Sequence, residues 1–164
     1  MGPRKITPCL WFDTQAEEAA KLYVSIFSNS RIERVERYPD AGTEIHGKKP
    51  GSVMVVVFSI EGQEFTALNG GPQFKFNEAI SFEVPCANQE EVDYFWSKLT
   101  ADGGAEQPCG WLKDKFGLSW QVFPTRLREM LSDQDSDKRN RVMEQMLKMQ
   151  KLDIAALKKA AEGN

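Results

Sequence analysis

The residues of this sequence that could carry nucleophilic or metal chemistry are few. There are three cysteines, Cys9, Cys86 and Cys109, and one histidine, His46. A Ser-His-Asp or Cys-His site would therefore have to use His46, and a histidine-rich metal centre is excluded. His46 falls in a stretch of glycine, proline and charged residues that predicts an exposed loop. We expect an ordinary surface histidine rather than a catalytic one.

The spacing of the cysteines gives no sign of a metal knuckle or a redox motif. No two of them form a CxxC pair, and an odd number cannot all pair within one chain. Neither Cys9 nor Cys109 has a base nearby in sequence that would activate it as a nucleophile. We expect reduced, partly buried thiols, as in a cytoplasmic protein.

Charge and hydropathy exclude two classes of partner. The chain has 164 residues, with 21 Lys and Arg against 24 Asp and Glu, for a net charge of −3. A nucleic-acid binder would show a basic face, so we expect no nucleic-acid partner. No apolar run approaches the ~18 residues that span a bilayer, and the start, MGPRKITPCLWF, lacks a long apolar stretch. We therefore expect a cytoplasmic protein without a membrane partner.

The elements that must position any site follow the same order twice. In the first half, the residues at 14–17 (TQAE) match a capping box and predict the start of a helix. Alternating or continuous apolar runs predict four strands around that helix, at 6–12, 31–38, 52–60 and 63–69.

In the second half the order starts again, with a strand predicted at 79–85. Asn88 with Glu91 forms a second cap-like pair before a helix that Gly103–Gly104 ends. One or two short strands are predicted within 105–113, a turn at DKFG, and a closing strand at 118–124. The strand starts at 6 and 79 and the matching caps suggest a duplicated β-α-β-β-β unit.

The remaining residues differ in composition from both halves. A polar stretch at 132–141 precedes apolar residues at helical spacing, and Asp153 is placed to cap a last short helix. Its methionines form an adaptable apolar surface that packs either on the chain's own sheet or across a dimer interface. We predict three parts: a first unit at 1–75, a second unit at 76–125 and a helical tail at 126–164.

Several segments resemble the vicinal oxygen chelate superfamily, which includes glyoxalases, extradiol dioxygenases and bleomycin-resistance proteins. The resemblance is strongest to its PhnB-like branch, often labelled 3-demethylubiquinone-9 3-methyltransferase. The segments that carry it are ITPCLWFD with TQAEEA, FTALNGGP, SFEVPC, CGWLKDKFGLSWQVFP and the tail VMEQMLKMQKLDIAALKKA. It implies an α+β fold in which two β-α-β-β-β units form a curved mixed sheet around a cleft. It also implies a homodimer, since members of the superfamily commonly pair their units within or across chains.

The resemblance also implies where metal ligands would lie, on the first and last strand of each unit. In this sequence those positions fall at about Thr7, at Glu64 or Phe65, near Ala79, and at Gln121. Threonine, alanine and a neutral amide are poor ligands for a transition metal, and a catalytic site needs about three good ones. We therefore expect a degenerate metal site and no cofactor. Glu64, Glu83 and Gln121 remain weak candidates for holding a divalent cation.

The methyltransferase label predicts features that the sequence lacks. Methyltransferases for such substrates have a doubly wound sheet and a Gly-rich loop after the first strand. The glycine pairs here, Gly70–Gly71 and Gly103–Gly104, do not open a helix after a parallel strand. We find no S-adenosylmethionine motif.

Two hypotheses about function remain. The first is a homodimeric, metal-free protein that binds a small apolar or aromatic metabolite in the cleft, where aromatic rings would alternate with a few polar tips. The second is a glyoxalase- or dioxygenase-like enzyme that uses a divalent metal on a small oxygenated substrate. Residues predicted to line the cleft are Thr7, Cys9, Trp11, Phe65, Asn69, Ser81, Glu83, Trp111 and Gln121.

Overall fold

The computed structural model describes residues 6–163 and divides the chain into two compact units. The first unit is Met1–Lys75 and the second is Phe76–Asn164. Each contains one four-stranded mixed sheet. The α+β class predicted from the sequence is confirmed.

The first unit is a β-α-β-β-β arrangement. Its sheet has the order β1-β4-β3-β2, in which β1 runs parallel to β4 and the other neighbours are antiparallel. A one-turn helix, α2, lies between β2 and β3. The elements are β1 (Cys9–Phe12), α1 (Ala16–Ile26), β2 (Arg31–Arg37), α2 (Thr43–His46), β3 (Val53–Ile60) and β4 (Gln63–Asn69).

The second unit repeats this topology. Its sheet has the order β5-β8-β7-β6, with β5 parallel to β8, so each strand occupies the same place as its counterpart in the first unit. The elements are β5 (Ser81–Cys86), α3 (Gln89–Thr100), β6 (Ala105–Glu106), β7 (Trp111–Lys113) and β8 (Ser119–Pro124). The predicted repeat of β-α-β-β-β units is therefore present in the topology.

In each unit a helix covers one face of the sheet. Alternate residues of the strands point to that face, and the helix buries its apolar stripe against them. Tyr23 of α1 is fully buried beside Phe58 of β3, with ring centroids 6.2 Å apart. In the second unit Trp96 of α3 is 4% exposed and donates from its indole Nε1 to Glu106.

The two helices begin differently, and only one begins as the sequence predicts. The predicted cap at Asn88 is confirmed, because its Oδ1 accepts a hydrogen bond from the amide of Glu91 at 2.9 Å. The predicted capping box at 14–17 is wrong. Helix α1 begins at Ala16, its N-cap is Gln15, and no side chain of the N-cap bonds to it. The acceptor comes instead from Asn69 on β4, whose Oδ1 bonds to the amide of Ala16.

The tail forms three helices with an apolar cluster of their own. These are α4 (Arg126–Leu131), α5 (Ser136–Met146) and α6 (Ile154–Glu162). Asp153 caps α6 as predicted, by accepting a hydrogen bond from the amide of Ala156. The cluster also takes in Phe123 of β8, so the tail packs on the sheet of its own unit; its buried members are Phe123, Leu127, Val142, Leu152 and Leu157.

The methionines of the tail divide between this cluster and the surface. Met130, Met146 and Met149 pack against the cluster, which agrees with the hypothesis of packing within the chain. Met143 is 40% exposed and Leu147 is 61% exposed. Among residues 6–163, no helix is both long enough and apolar enough to cross a membrane.

Candidate functional site

The face of the first sheet that is turned away from α1 carries several of the predicted ligand-binding residues. Side chains alternate along a strand, so the residues between the core positions share this face. The register places Cys9 beside Thr66 and Trp11 beside Leu68. We call this surface the distal face of the first sheet; its residues are Cys9, Trp11, Arg31, Arg34, Glu36, Val55, Val57, Ser59, Glu64, Thr66 and Leu68.

The register of β4 decides between the two candidates for its metal-ligand position. Glu64 pairs with Ser59 and is exposed on the distal face of the first sheet. Phe65 points the other way, is 7% exposed, and stacks on Phe58 with ring centroids 5.5 Å apart. Phe65 is therefore a core residue and not part of the predicted ligand-binding surface.

Asn69 is likewise directed to the helix side, where it joins three elements. Its Oδ1 accepts a hydrogen bond from the amide of Ala16 at 2.8 Å, and its Nδ2 donates to the carbonyl of Val53 at 3.0 Å. Its own carbonyl accepts a hydrogen bond from the Tyr38 hydroxyl at 2.7 Å. The side chain is 6% exposed, so Asn69 holds β3, β4 and α1 together and does not lie on the distal face of the first sheet.

Trp11 lies on the distal face of the first sheet, but the segment after β4 covers part of its ring. Its indole Nε1 donates to the carbonyl of Gly71 at 2.8 Å. Phe74 makes an edge-to-face contact with it, with ring centroids 4.9 Å apart. A Cβ atom at Gly70 would lie 2.1 Å from the indole ring, so glycine is required there by the close approach of the backbone. Trp11 thus holds this segment in place and leaves only part of its ring accessible.

Four predicted residues of the second unit are neighbours on the face of its sheet turned away from α3, the distal face of the second sheet. Gln121 pairs with Glu83 on one side and with Trp111 on the other. Its Nε2 donates to the hydroxyl of Ser81 at 2.9 Å. Apart from exposed Glu83, these side chains are half-buried. The strand register therefore places Ser81, Glu83, Trp111 and Gln121 next to one another on this face.

The charged residues around this second group are already paired. Arg128 of α4 forms an ion pair with Glu83, and Lys113 forms one with Glu78 at 2.6 Å. The hydrogen bond from Lys113 lowers the pKa of the Glu78 carboxyl. No sequence motif identifies Arg128 or Glu78 as members of this group, because their partners are set by the tail and by the turn before β5.

Within each unit, the positions implied for a metal do not form a ligand set. Thr7 lies before the first residue of β1, and Ala79 lies exposed in a turn before β5, because both strands begin two or three residues later than predicted. Glu64 has a carboxylate that could ligate a metal. Gln121 has a neutral side-chain amide, which donates a hydrogen bond to the hydroxyl of Ser81. Within residues 6–163, no three His, Cys, Asp or Glu side chains are grouped as a metal site would require. The residues present do not fit a catalytic divalent metal.

The cysteines and the histidine have no catalytic arrangement within the part of the chain that the structure describes. Burial raises the pKa of the Cys9 thiol, and it raises that of Cys86 to about 12, with a smaller contribution from the negative charge of Glu91. Both thiols are therefore protonated at neutral pH. His46 ends α2 instead of lying in a loop; it is half-buried, with its Nδ1 accepting from the amide of Lys48 at 2.9 Å.

A family model and a solved structure that match this chain carry the same family description. The model of the family described as 3-demethylubiquinone-9 3-methyltransferase matches residues 4–123. The chain is 36% identical to a PhnB protein from Bacillus cereus, with a TM-score of 0.64 over 73% of this chain and 99% of that one. A protein from Pseudomonas aeruginosa is similar in fold, with 18% identity, a TM-score of 0.58 and coverage of 74% and 98%. No curated protein sequence matches the chain.

Proposed function

The chain belongs to the family described as 3-demethylubiquinone-9 3-methyltransferase, the PhnB-like branch of the vicinal oxygen chelate superfamily, and we propose that it binds a small apolar or aromatic metabolite without a metal. The observation that carries this proposal is the composition of the distal face of the first sheet. Trp11, Leu68 and Val55 supply apolar surface there, and polar or charged groups of β2 and β4, such as Arg34, Glu36 and Glu64, border it. Surfaces of this composition bind small apolar molecules and use the polar groups for orientation.

The side chains that could act as metal ligands support ligand binding rather than metal catalysis. On the first sheet the distal face offers the carboxylates of Glu64 and Glu36, beside hydroxyls and a thiol that remains protonated, and Glu36 is paired with Arg34. On the second, Glu83 is paired with Arg128. A catalytic divalent metal needs about three good protein ligands held in a fixed geometry, and neither face supplies them.

The arrangement of the strands does not support methyl transfer from S-adenosylmethionine. The cofactor loop of that enzyme class joins a parallel strand to the helix that follows it. Here Gly70 packs on the Trp11 ring after β4, and the turn at Ala101–Gly103 follows α3. The pairs Gly70–Gly71 and Gly103–Gly104 are thus used in close packing and in a turn, and neither forms such a cofactor loop.

Native mass spectrometry of the protein as purified tests the proposal directly. We expect a bound organic mass and no metal, and we expect Mn²⁺, Ni²⁺, Zn²⁺ and Mg²⁺ each to leave the melting temperature nearly unchanged. Retention of one metal ion per subunit, with a large metal-specific rise in melting temperature, would refute metal-free binding. It would favour the alternative of a metal-dependent enzyme.

A pair of variants locates the binding surface. Leu68→Lys places a charge on the distal face of the first sheet and should abolish retention of the organic mass. Val35→Lys places the same charge in the same sheet but on the helix side, where Val35 is already 36% exposed, and should retain it. Equal retention by the two variants would exclude the distal face of the first sheet as the binding surface.

A further inference from the structure

A small pocket lies in the first unit, away from the distal face of its sheet. It is formed where the parallel strands β1 and β4 end and where α1 begins. Its volume is about 200 Å³, below the usual range of drug-sized sites, so its occupant must be small. It is lined by Asp13, Thr14, Glu17, Tyr38, Lys48, Ser52, Val53 and Asn69.

Hydrogen bonds hold two of the residues that line the pocket, Asn69 and Tyr38, in place. Asn69 is bonded to both α1 and β3 through its side chain. Tyr38 donates its hydroxyl to the carbonyl of Asn69, and its ring packs against His46 with centroids 4.8 Å apart. A ligand entering this pocket would therefore meet a preorganised surface and would cost little reordering of the protein.

Two opposite charges line this pocket, and neither is paired with another described residue. Within residues 6–163, neither the Asp13 carboxylate nor the half-buried Lys48 ammonium makes an ion pair or a side-chain hydrogen bond. The third charge, Glu17, is paired with Lys21 at 2.7 Å, and the hydrogen bond from Lys21 lowers its pKa. The Thr14 hydroxyl likewise has no hydrogen-bond partner there.

We propose that this pocket binds a free α-amino acid with a short side chain. A ligand with only a negative charge would be attracted by Lys48 but repelled by Asp13 and Glu17. A ligand with only a positive charge would be attracted by Asp13 and Glu17 but repelled by Lys48. A zwitterion satisfies both, with its carboxylate at Lys48 and the Thr14 hydroxyl and its ammonium at Asp13. Val53 gives the short side chain an apolar contact, and a volume of about 200 Å³ suits a side chain of that size. This site is independent of the binding proposed for the distal face of the first sheet.

Nuclear magnetic resonance titration of the full chain with L-alanine tests the proposal. We expect the amides of residues 13–17 and of Lys48 and Asn69 to shift in a saturable manner. N-acetyl-L-alanine lacks the ammonium and L-alaninamide lacks the carboxylate, so each should bind at least about tenfold more weakly. L-tryptophan fills more than this volume and should bind more weakly than L-alanine.

Matched variants test the two charges. Lys48→Met should weaken alanine binding at least about tenfold, whereas Lys49→Met, at the exposed neighbour outside the pocket, should leave it unchanged. Asp13→Asn should weaken it, whereas Asp40→Asn should not. The proposal is overturned if alanine causes no saturable shift, if either single-charge analogue binds as tightly as alanine, or if the pocket variants behave as their controls do. Because the analogues are tested on the unaltered chain, a variant that fails to fold does not affect that result.

Discussion

Asp114 is buried, with 2% of its surface exposed, and its carboxylate accepts three hydrogen bonds. Oδ1 accepts from the amides of Phe116 and Leu118, at 2.9 and 3.1 Å. Oδ2 accepts from the indole Nε1 of Trp120 at 2.9 Å. The DKFG motif predicts the turn, since aspartate commonly accepts from the amide two residues on. It does not predict the bond to Trp120, which depends on how β8 returns beside the turn.

Asp114→Asn tests the importance of this carboxylate for stability. The amide can keep the two backbone bonds, but its NH₂ group then faces the indole N–H and leaves a buried donor unsatisfied. We expect a loss of about 1–3 kcal/mol in the free energy of unfolding, measured by urea denaturation. Asp102→Asn, at an exposed turn, is the matched control and should change stability little. Equal stabilities of the two variants would show that the Trp120 bond contributes nothing.

The thiols of Cys9 and Cys86 should differ in reactivity because their environments differ. Cys86 is fully buried, and desolvation raises its pKa to about 12. Its folded-state pKa lies above the unfolded value, so the proton stabilises the fold below about pH 9, and this stability is lost as the pH rises towards 12. Iodoacetamide labelling of the native protein at pH 8 should modify exposed Cys9 and spare Cys86. Labelling of Cys86 as fast as Cys9 would contradict its burial.

Among the elements, strands bounded by clear turns are the most predictable. The strand predicted at 63–69 matches β4 to the residue, because the turn at 61–62 and the glycines at 70–71 fix its ends. The strands predicted from 6 and 79 begin instead at Cys9 and Ser81. Apolar residues also precede both strands in the sequence, but the pairing with β4 and β8 begins only at Cys9 and Ser81. The cap of α1 was missed because its acceptor comes from 53 residues away along the chain.

The long-range cap of α1 can be tested by Asn69→Ala. The variant removes the acceptor for the amide of Ala16 and the donor to Val53. It leaves the buried Ala16 amide without its side-chain acceptor and the half-buried Val53 carbonyl without this donor. We expect a loss of about 1–3 kcal/mol in unfolding free energy. Gln73→Ala, at an exposed position near the end of the same unit, should have almost no effect. Similar stability of both variants would mean that α1 does not depend on Asn69.

At the scale of the whole molecule, the repeat and the helical character of the tail were predictable, but the packing of the tail was not. The order of strand, helix and strand patterns gives the duplicated topology even though residue identity between the halves is low. The family model stops at 123, just before the tail begins, and helical spacing alone does not specify what a helix packs against. That the tail closes over Phe123 of β8 depends on tertiary contacts that no local pattern encodes.

The exposed part of the tail leads to the last prediction, which concerns self-association. Met143 and Leu147 are one helical turn apart, so they share a face, and both remain exposed although the other tail methionines are packed. We expect light scattering to give a homodimer, at about twice the 18.6 kDa mass of one chain. Leu147→Lys should yield a monomer by placing a charge in the interface. Ile45→Lys, at a residue that is 87% exposed in the first unit, should remain dimeric. A monomeric mass for the unaltered protein at micromolar concentration would refute the dimer, and dimers of both variants would place its interface elsewhere.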